Sequence, residues 1–439
     1  MAKTSQTADK EPAVEAPQST PDRGGSRLSG LLNIRTFRAL QYKNFRYLWL
    51  AQISNSAALW IEQVARPILV LDLTGSAVQV GMILAARTFP QLGFGLIAGV
   101  LADWYNRRTL LLIAQISGMI INLGFAVLLL TGKVELWHVY ATTILRGIAT
   151  SFDNPSRQAL IPSLVAPVHL SNAVALNSSS MQTMRIGGAF MAGLLLATVG
   201  VPGTFMAVAL ISVLPAVLTN MMSIPSVPSA GRLSLKTGVV SLMEGLRFAW
   251  QTPTIRGVLF LTGSYFVLGM AYLQVFSPIF AKQVLNIGDA GFGFMVSTTG
   301  VGALTGSLVV ATLSPSKLRG PIMLTLMTLL GIVLILFGAS TYLPWIWPTF
   351  ILVALIGVLQ SSYFALSNTV LLENTPADKR GRVMGVLALD RSMITLGGAA
   401  AGFTVAALGP QMAQMTFGAG CVLTAIVLTL KVPRLRKIS

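Results

Sequence analysis

The sequence predicts an all-α membrane protein: twelve transmembrane helices in two pseudo-symmetric six-helix bundles. Three observations carry that prediction. First, 54% of the 439 residues are hydrophobic and only 10% are charged. A soluble protein carries about 25% charged residues, so this chain lacks the polar surface to cover a water-facing core. Second, apolar stretches of 18 residues or more recur along the chain, each long enough to cross a bilayer as a helix. The short alternating segments of an outer-membrane barrel do not occur. Third, the basic residues are sorted by side. Of the 31 Lys and Arg, five (Arg66, Arg87, Arg146, Arg185 and Arg391) fall inside apolar stretches and two (Lys133 and Lys282) on one side of them, which leaves 24 on the other. Lys and Arg collect on cytoplasmic loops, so the basic side, with both termini, is expected to face the cytoplasm from the cell (plasma or inner) membrane. The net charge of +17 would suggest nucleic acid in a soluble protein. Here topology accounts for it, and no nucleic-acid partner is expected.

Taken in order, residues 1–30 are rich in Ser, Pro, Ala, Gly and charge without apolar period, the composition of a disordered tail. No apolar core follows the early lysines, so no signal peptide is expected. Residues 31–45 mix apolar and basic positions and suit the cytoplasmic interface. The first bundle (46–223) holds spans at about 46–71, 77–102, 109–131, 134–153, 171–199 and 203–223. A linker at 224–256 opens with a Pro/Ser stretch and continues as an amphipathic segment, Leu235 to Trp250, expected to lie on the cytoplasmic face. The second bundle (257–431) holds spans at about 257–281, 289–313, 320–340, 345–364, 383–409 and 411–431, and residues 432–439 form a basic cytoplasmic tail.

The two bundles read as a repeat. A constant shift of 210 residues places Gly81 on Gly291, Gly147 on Gly357, Ser151 on Ser361, and Gly187-Gly188-Ala189 on Gly397-Gly398-Ala399. One shift that aligns helices, glycines and loops together is the mark of a duplicated frame, and such frames recur in transporters with the binding site at the midplane between halves.

The loop from Gly99 to Arg108 (GVLADWYNRR) puts one acid and two arginines between two apolar segments. It resembles the loop between spans 2 and 3 of major facilitator transporters, G-x-x-x-D-x-x-G-R-[RK]: Gly99, Asp103, Arg107 and Arg108 fit. Asn106 stands at the pattern's second glycine, where Asn tolerates a left-handed backbone better than most residues. Further segments narrow the likeness: Trp60 to Pro67, Leu71 to Ala77, Arg87-Thr-Phe-Pro90, Asn154 to Pro162, Leu170 to Asn177, Arg185-Ile-Gly-Gly, Glu244 to Phe248 and Arg380-Gly-Arg-Val383. Over residues 40–430 or so the chain is similar to the branch that contains enterobactin exporters and macrolide-efflux proteins, the transmembrane secretion effectors. The resemblance implies alternating access and export commonly coupled to proton entry. Leu313 stands at the shifted position of Asp103, so Gly99, Asp103, Arg107 and Arg108 read as an asymmetric conformational latch, the alternative being a topology anchor alone. Drug-exporting relatives often carry Gly-Pro in span 5; here Gly188-Ala189 stands in that place, without the proline that would bend the helix.

Ionisable groups within spans are costly and tend to face a cavity or a partner. Glu62 and Arg66 are spaced i, i+4 and can share a helical face; the bland reading is a self-neutralising pair, the sharper one a proton site. Arg146, in Leu145-Arg146-Gly147, resembles a remnant of the superfamily's span 4 motif linked to proton transfer. Spans 1 and 4 usually line the central cavity of this fold, which favours a role for Glu62, Arg66 and Arg146. Asp390 is either a second protonatable acid or a hydrated residue near the inner surface, with Arg391 beside it. Arg185 and Arg87 weigh towards structural roles. Arginines outnumber acids in the spans, which favours an anionic or zwitterionic substrate over a lipophilic cation. Trp60, Tyr265, Tyr272, Phe276 and Tyr363 offer stacking surface, although aromatics in spans serve packing more often. There is no phosphate-cradling G-x-x-x-x-G-K-[ST] loop, no catalytic constellation, and only two histidines, His138 and His169, near opposite faces. No enzyme activity, metal or cofactor is expected. The reading is therefore a proton-coupled exporter of a small amphipathic organic molecule of the drug, macrolide or siderophore class, acting as a monomer in the bilayer. A lipid or lysophospholipid flippase of the same fold is the alternative within transporters. A non-transporting sensor or a multi-span lipid enzyme is the alternative outside them.

Overall fold

The computed structural model describes residues 35–223, 235–313, 318–376, 379, 383, 386–387 and 392–432. The described residues are all-helical, with turns between the helices and no strand. A 3₁₀ turn, Arg35–Gln41, leads into α1 (Lys43–Thr74), followed by α2 (Ala77–Trp104), α3 (Arg107–Leu130) and α4 (Leu136–Leu164). The run α5 (Leu170–Ile211) breaks once, at Gly200, with φ 67° and ψ −173°, a backbone region open essentially to glycine alone. With Pro202 just beyond it, this single residue turns the fifth span into the sixth, which α6 (Val213–Asn220) completes. In the linker, α7 spans Leu235–Gln251.

The second half starts with α8 (Pro253–Ser264), which runs on through wide π turns at Tyr265–Gly269, Tyr272–Phe276 and Phe280–Val284. Then come α9 (Gly288–Leu313), α10 (Arg319–Ser340), α11 (Trp347–Glu373), α12 (Ile394–Leu408) and α13 (Pro410–Lys431). Seven helical stretches among the described residues are long and apolar enough to cross a membrane. Those outside that set include α1 and α4, the helices that carry buried ion pairs. Two spans are longer than their hydropathy suggests. α4 continues to Leu164 and α11 to Glu373, past predicted ends at 153 and 364. These are equivalent spans of the repeat.

The repeated glycines sit at crossings. Within the halves, Gly147 lies against the Arg87 carbonyl of α2, and its counterpart Gly357 against the Thr299 carbonyl of α9. Between the halves, α2 packs on α12 through Gly81 and Gly398, and α5 on α9 through Gly193 and Gly293. A side chain at Gly398 would strike Leu84 and at any of the others backbone, so the close approach itself requires small residues. Both contacts between halves lie towards the end remote from the chain termini. There Lys282 bridges Asp72 of the first half and, at 2.7 Å, Asp289 of its own, while Gln283 Nε2 donates to the Gly75 carbonyl at 3.1 Å. That end is closed.

Candidate functional site

Two polar assemblies arise from these packings. One is buried inside the first half. Glu62 on α1 accepts from Arg66 Nη2 at 2.6 Å, one turn along, and from Arg146 Nε of α4 at 3.4 Å. Arg66 also donates through Nη1 to the Val139 carbonyl and the Thr142 and Thr143 hydroxyls, at 3.2, 3.1 and 2.8 Å. Its guanidinium lies over Phe125 and Phe205, with ring centroids at 5.1 and 5.6 Å. Arg87 acts on the same carboxylate through its charge. Glu62, Arg66 and Arg146 are 3, 6 and 7% exposed, so the cluster is one acid among three guanidiniums, shut away from solvent. Gly118 of α3 makes room for the Arg146 guanidinium, since a Cβ there would collide with Nη1. Chemically, protonating Glu62 and keeping both bridges are mutually exclusive, because a neutral carboxyl forfeits the ion pairs.

A second pair repeats the i, i+4 spacing about two turns beyond Arg146 on α4. Arg157 forks onto Asp153, with Nε to Oδ1 at 3.2 Å and Nη2 to Oδ1 and Oδ2 at 2.8 and 2.9 Å. Asn55 of α1 reaches the same carboxylate at 3.5 Å. Gln115, with its amide oriented to satisfy both atoms, accepts from Arg157 at 3.3 Å and donates to Thr219. Arg146 and Asp153 both face a small cavity within this half, beside Asn55 and Gln115. The sequence reading passed over Asp153 and Arg157 as a pair, although the i, i+4 signal that singled out Glu62 and Arg66 was present there too.

The other assembly is a cleft between the halves, with about 790 Å³ of empty space including its mouth. It is walled by α1 and α5 on one side and by the π-turned part of α8, α9 and α11 on the other. Trp60, Tyr265 and Phe292 give it aromatic faces, and Gln63, Gln274 and Gln360 its amides. Arg185 is its one charged lining residue among those described. Gln360 Nε2 donates to the Gly269 carbonyl at 2.9 Å, and Tyr265 donates to the Gln360 carbonyl at 3.2 Å. These bonds pin α8 to α11 where the π turn leaves the helix ladder irregular. π turns gather at functional sites.

The structure thus sorts the predicted residues differently from their order along the spans. Glu62, Arg66 and Arg146 come together, but the cleft lining does not include them. The expectation that spans 1 and 4 would aim these charges at the central cavity is corrected: they point into the first half, where each finds the others. Arg185, weighed as structural, is the arginine in the cleft. Of the five aromatics, Trp60 and Tyr265 line it, while Tyr272, Phe276 and Tyr363 are packed fully inside. Asp390 and Arg391 lie outside the described residues. In the loop, Gly99 and Asp103 sit in the last turns of α2. Arg107 Nη1 donates to the Ala159 carbonyl at 2.9 Å, and Arg108 to the Thr219 and Asn220 carbonyls at 3.2 and 2.5 Å. The loop therefore ties α3 to the ends of α4 and α6. Asn106 is not left-handed: at φ −60° and ψ 114° it caps α3, its side chain accepting from the Arg108 and Thr109 amides. The substitution for glycine is mild because Asn is a good N-cap. In the second half, Arg319 pairs with Glu373, so an equivalent tie is made with an acid from a different helix. His138 joins Glu135 in a capping box and His169 meets Tyr42 and Gln41 at 3.1 and 3.2 Å. Among the described residues no His, Cys, Asp and Glu cluster suits a metal.

A family model described as transmembrane secretion effector matches residues 34–439. The chain is 29% identical over 421 residues to the enterobactin exporter EntS of Escherichia coli O81, covering 94% of this chain and 97% of that one. It is 27% identical over 344 residues to the multidrug efflux pump Tap of Mycolicibacterium fortuitum, covering 77% and 83%. Among solved structures, a bacterial homolog of the human lysosomal transporter Spinster, inward-facing and unoccupied, superposes with a TM-score of 0.66 at 14% identity, covering 92% and 96%. A D-xylose–proton symporter gives 0.67 at 17% identity, covering 91% and 98%. These likenesses establish the fold.

Proposed function

This chain belongs to the transmembrane secretion effector family of the major facilitator superfamily, and on that premise we propose that it exports a small amphipathic organic molecule by proton antiport. It is a multi-pass inner-membrane transporter of small molecules. The single observation that carries the finer reading is the division of labour between the two assemblies. A cleft with aromatic and amide walls lies between the halves, closed at the end remote from the termini. Directly behind it, α1 holds the one carboxylate of a buried charge cluster. With both termini cytoplasmic, as the basic loops suggest, this arrangement is the inward-facing state. Glu62 is doubly bridged here and has no place for a proton. A proton delivered in the outward-facing state would take the place of those bridges, and restoring them on the inward swing would expel it. Arg146, on another helix, is the group whose approach would time the release. Export by such a cycle uses the proton gradient without ATP.

The test is reconstitution into proteoliposomes with an imposed proton gradient. Glu62→Gln is expected to abolish gradient-driven flux. Counterflow of substrate at zero gradient should persist, which shows that the variant folds and cycles. Unchanged gradient-driven flux would refute the proton role.

A further inference from the structure

We infer that Arg185 is the substrate-recognition residue of the cleft and that the cargo is an organic anion: a flat, largely apolar body bearing one carboxylate, sulfonate or comparable oxyanion. This deepens the transport reading and rests on it. Three observations converge. Among the described residues Arg185 is the one charged residue lining the cleft. Among the described residues it has no carboxylate within salt-bridge range and no hydrogen-bond partner. Every other arginine singled out within the described spans has its charge engaged on Glu62: Arg66 and Arg146 directly, Arg87 at longer range. A guanidinium within a membrane-spanning helix, left facing an apolar space without a counter-charge, is unusual, and a ligand anion supplies what the protein does not. Its planar fork fits an oxyanion with two parallel hydrogen bonds.

The neighbours set the rest of the specificity. Gly188 lets α5 settle against Trp60 and the Ala57 carbonyl of α1, and Arg185, one turn earlier on α5, lines the same cleft as that indole. Trp60, Tyr265 and Phe292 then offer ring faces to a flat apolar body. Gln63 has a buried side-chain oxygen with no partner and lines the same cleft, so it stands ready to accept one O–H or N–H from the cargo. Among the described residues no acid lines the cleft. A lipophilic cation would therefore meet like charge at Arg185, with ring faces but no described carboxylate to attract it.

The experiment uses the full-length protein in nanodiscs and a matched pair of probes. 1-Anilinonaphthalene-8-sulfonate is anionic, and N-phenyl-1-naphthylamine is the same body without the sulfonate; ethidium is the cationic comparison. Binding is measured by titration with the signal of empty nanodiscs subtracted. The wild type is expected to bind the sulfonate about tenfold or more tightly than the neutral analogue, the scale of one charge-assisted hydrogen-bonded pair. Arg185→Gln should erase that ratio by weakening the sulfonate alone, and Arg185→Lys should keep most of it. Retained affinity for the neutral probe reports that the Gln variant is folded. If that variant loses both probes, the Lys variant decides, since a positive charge suffices for part of the preference. An anion-to-neutral ratio unchanged in Arg185→Gln, lost in Arg185→Lys alone, or a wild-type preference for ethidium would overturn the assignment. Failure of the transport reading looks different. A sulfonate preference that depends on Arg185, with no gradient-driven flux of that probe in proteoliposomes, would sink proton-driven export and leave the anion site standing. Driven flux without charge preference would do the reverse.

Discussion

The closed end should open when the contacts that cross between halves are cut, and the structure says by how much. Two polar contacts cross there: Lys282 with Asp72, and Gln283 Nε2 with the Gly75 carbonyl at 3.1 Å. The bond from Lys282 to Asp289 stays within the second half and is indifferent to opening. The Asp72 side chain is 43% exposed, so its pair is screened by water and contributes about 0.2–1 kcal/mol. The amide–carbonyl bond adds about 0.5–1.5 kcal/mol. Lys282→Met alone should then shift the closed-to-open odds by about 1.4- to fivefold. Lys282→Met with Gln283→Ala should shift them about tenfold, the equivalent of 1.4 kcal/mol. Spin labels at Thr131 and Tyr342, exposed loop residues on opposite halves at this end, report the two states as short and long distances in double electron–electron resonance. Cys421, the one native thiol, is buried and is replaced by Ala. Lys133, the other lysine at this end, makes no ion pair among the described residues, and Lys133→Met should leave the odds alone. A double variant that moves the odds less than twofold, or a Lys133→Met shift of equal size, would refute the reasoning.

Two further outcomes follow from the packing. Gly293→Val places a branched side chain against the Gly193 backbone, where no flexible side chain can yield. It should drive the labels almost wholly to the long distance and stop transport while leaving the protein monodisperse on size exclusion. Asn106→Ala removes the two hydrogen bonds that start α3 and should destabilise the protein by about 1 kcal/mol, whereas Asn106→Gly, which restores the family pattern, should cost only a few tenths. The comparison is read from thermal unfolding in detergent, and a Gly variant less stable than Ala would contradict the capping account.

The membrane fold, the repeat and the helix order were legible because they rest on hydropathy and spacing, which are properties of single helices. The 210-residue shift even picked out Gly147 and Gly357, which lie at matching crossings within the halves, though not Gly193 and Gly293. Which charge faces which helix was not legible, because that depends on neighbours. Glu62 and Arg146 are 84 positions apart, and no pattern on α1 announces an arginine from α4. Arg185 looked structural for the same reason: its isolation is a fact about α8, α9 and α11 as much as about α5. Along α8 the helical reading itself drifts. Each π turn adds a residue beyond the 3.6 that periodicity assumes, so a face assigned before Tyr265 does not predict the face of Gln274. Asp153 and Arg157 were missed for a simpler cause. The predicted end of span 4 fell at 153, and the partner stood four residues outside it.

The helix α1 is where the two proposed sites become one machine. Trp60, Gln63, Val64 and Pro67 line the cleft at spacings of three, four and seven from the first, one helical stripe. Glu62 and Arg66 occupy a second stripe. At 100° per residue the two are centred about 130° apart, so the same turns of helix present substrate contacts on one side and the carboxylate on the other. A rotation or shift of α1 that parts Glu62 from Arg146 must carry Trp60 and Gln63 past Arg185, since backbone hydrogen bonds hold the stripes in fixed relation. Pro67 gives that motion a place to happen. It has no N–H for the carbonyl of Gln63, four residues back, and so loosens the helix at the cleft itself. The bend that relatives build with Gly-Pro in span 5 is here available in span 1, on the helix that bears both the acid and the cleft wall. Coupling between cargo and proton then needs no relay across the protein, only one helix whose two faces cannot move separately.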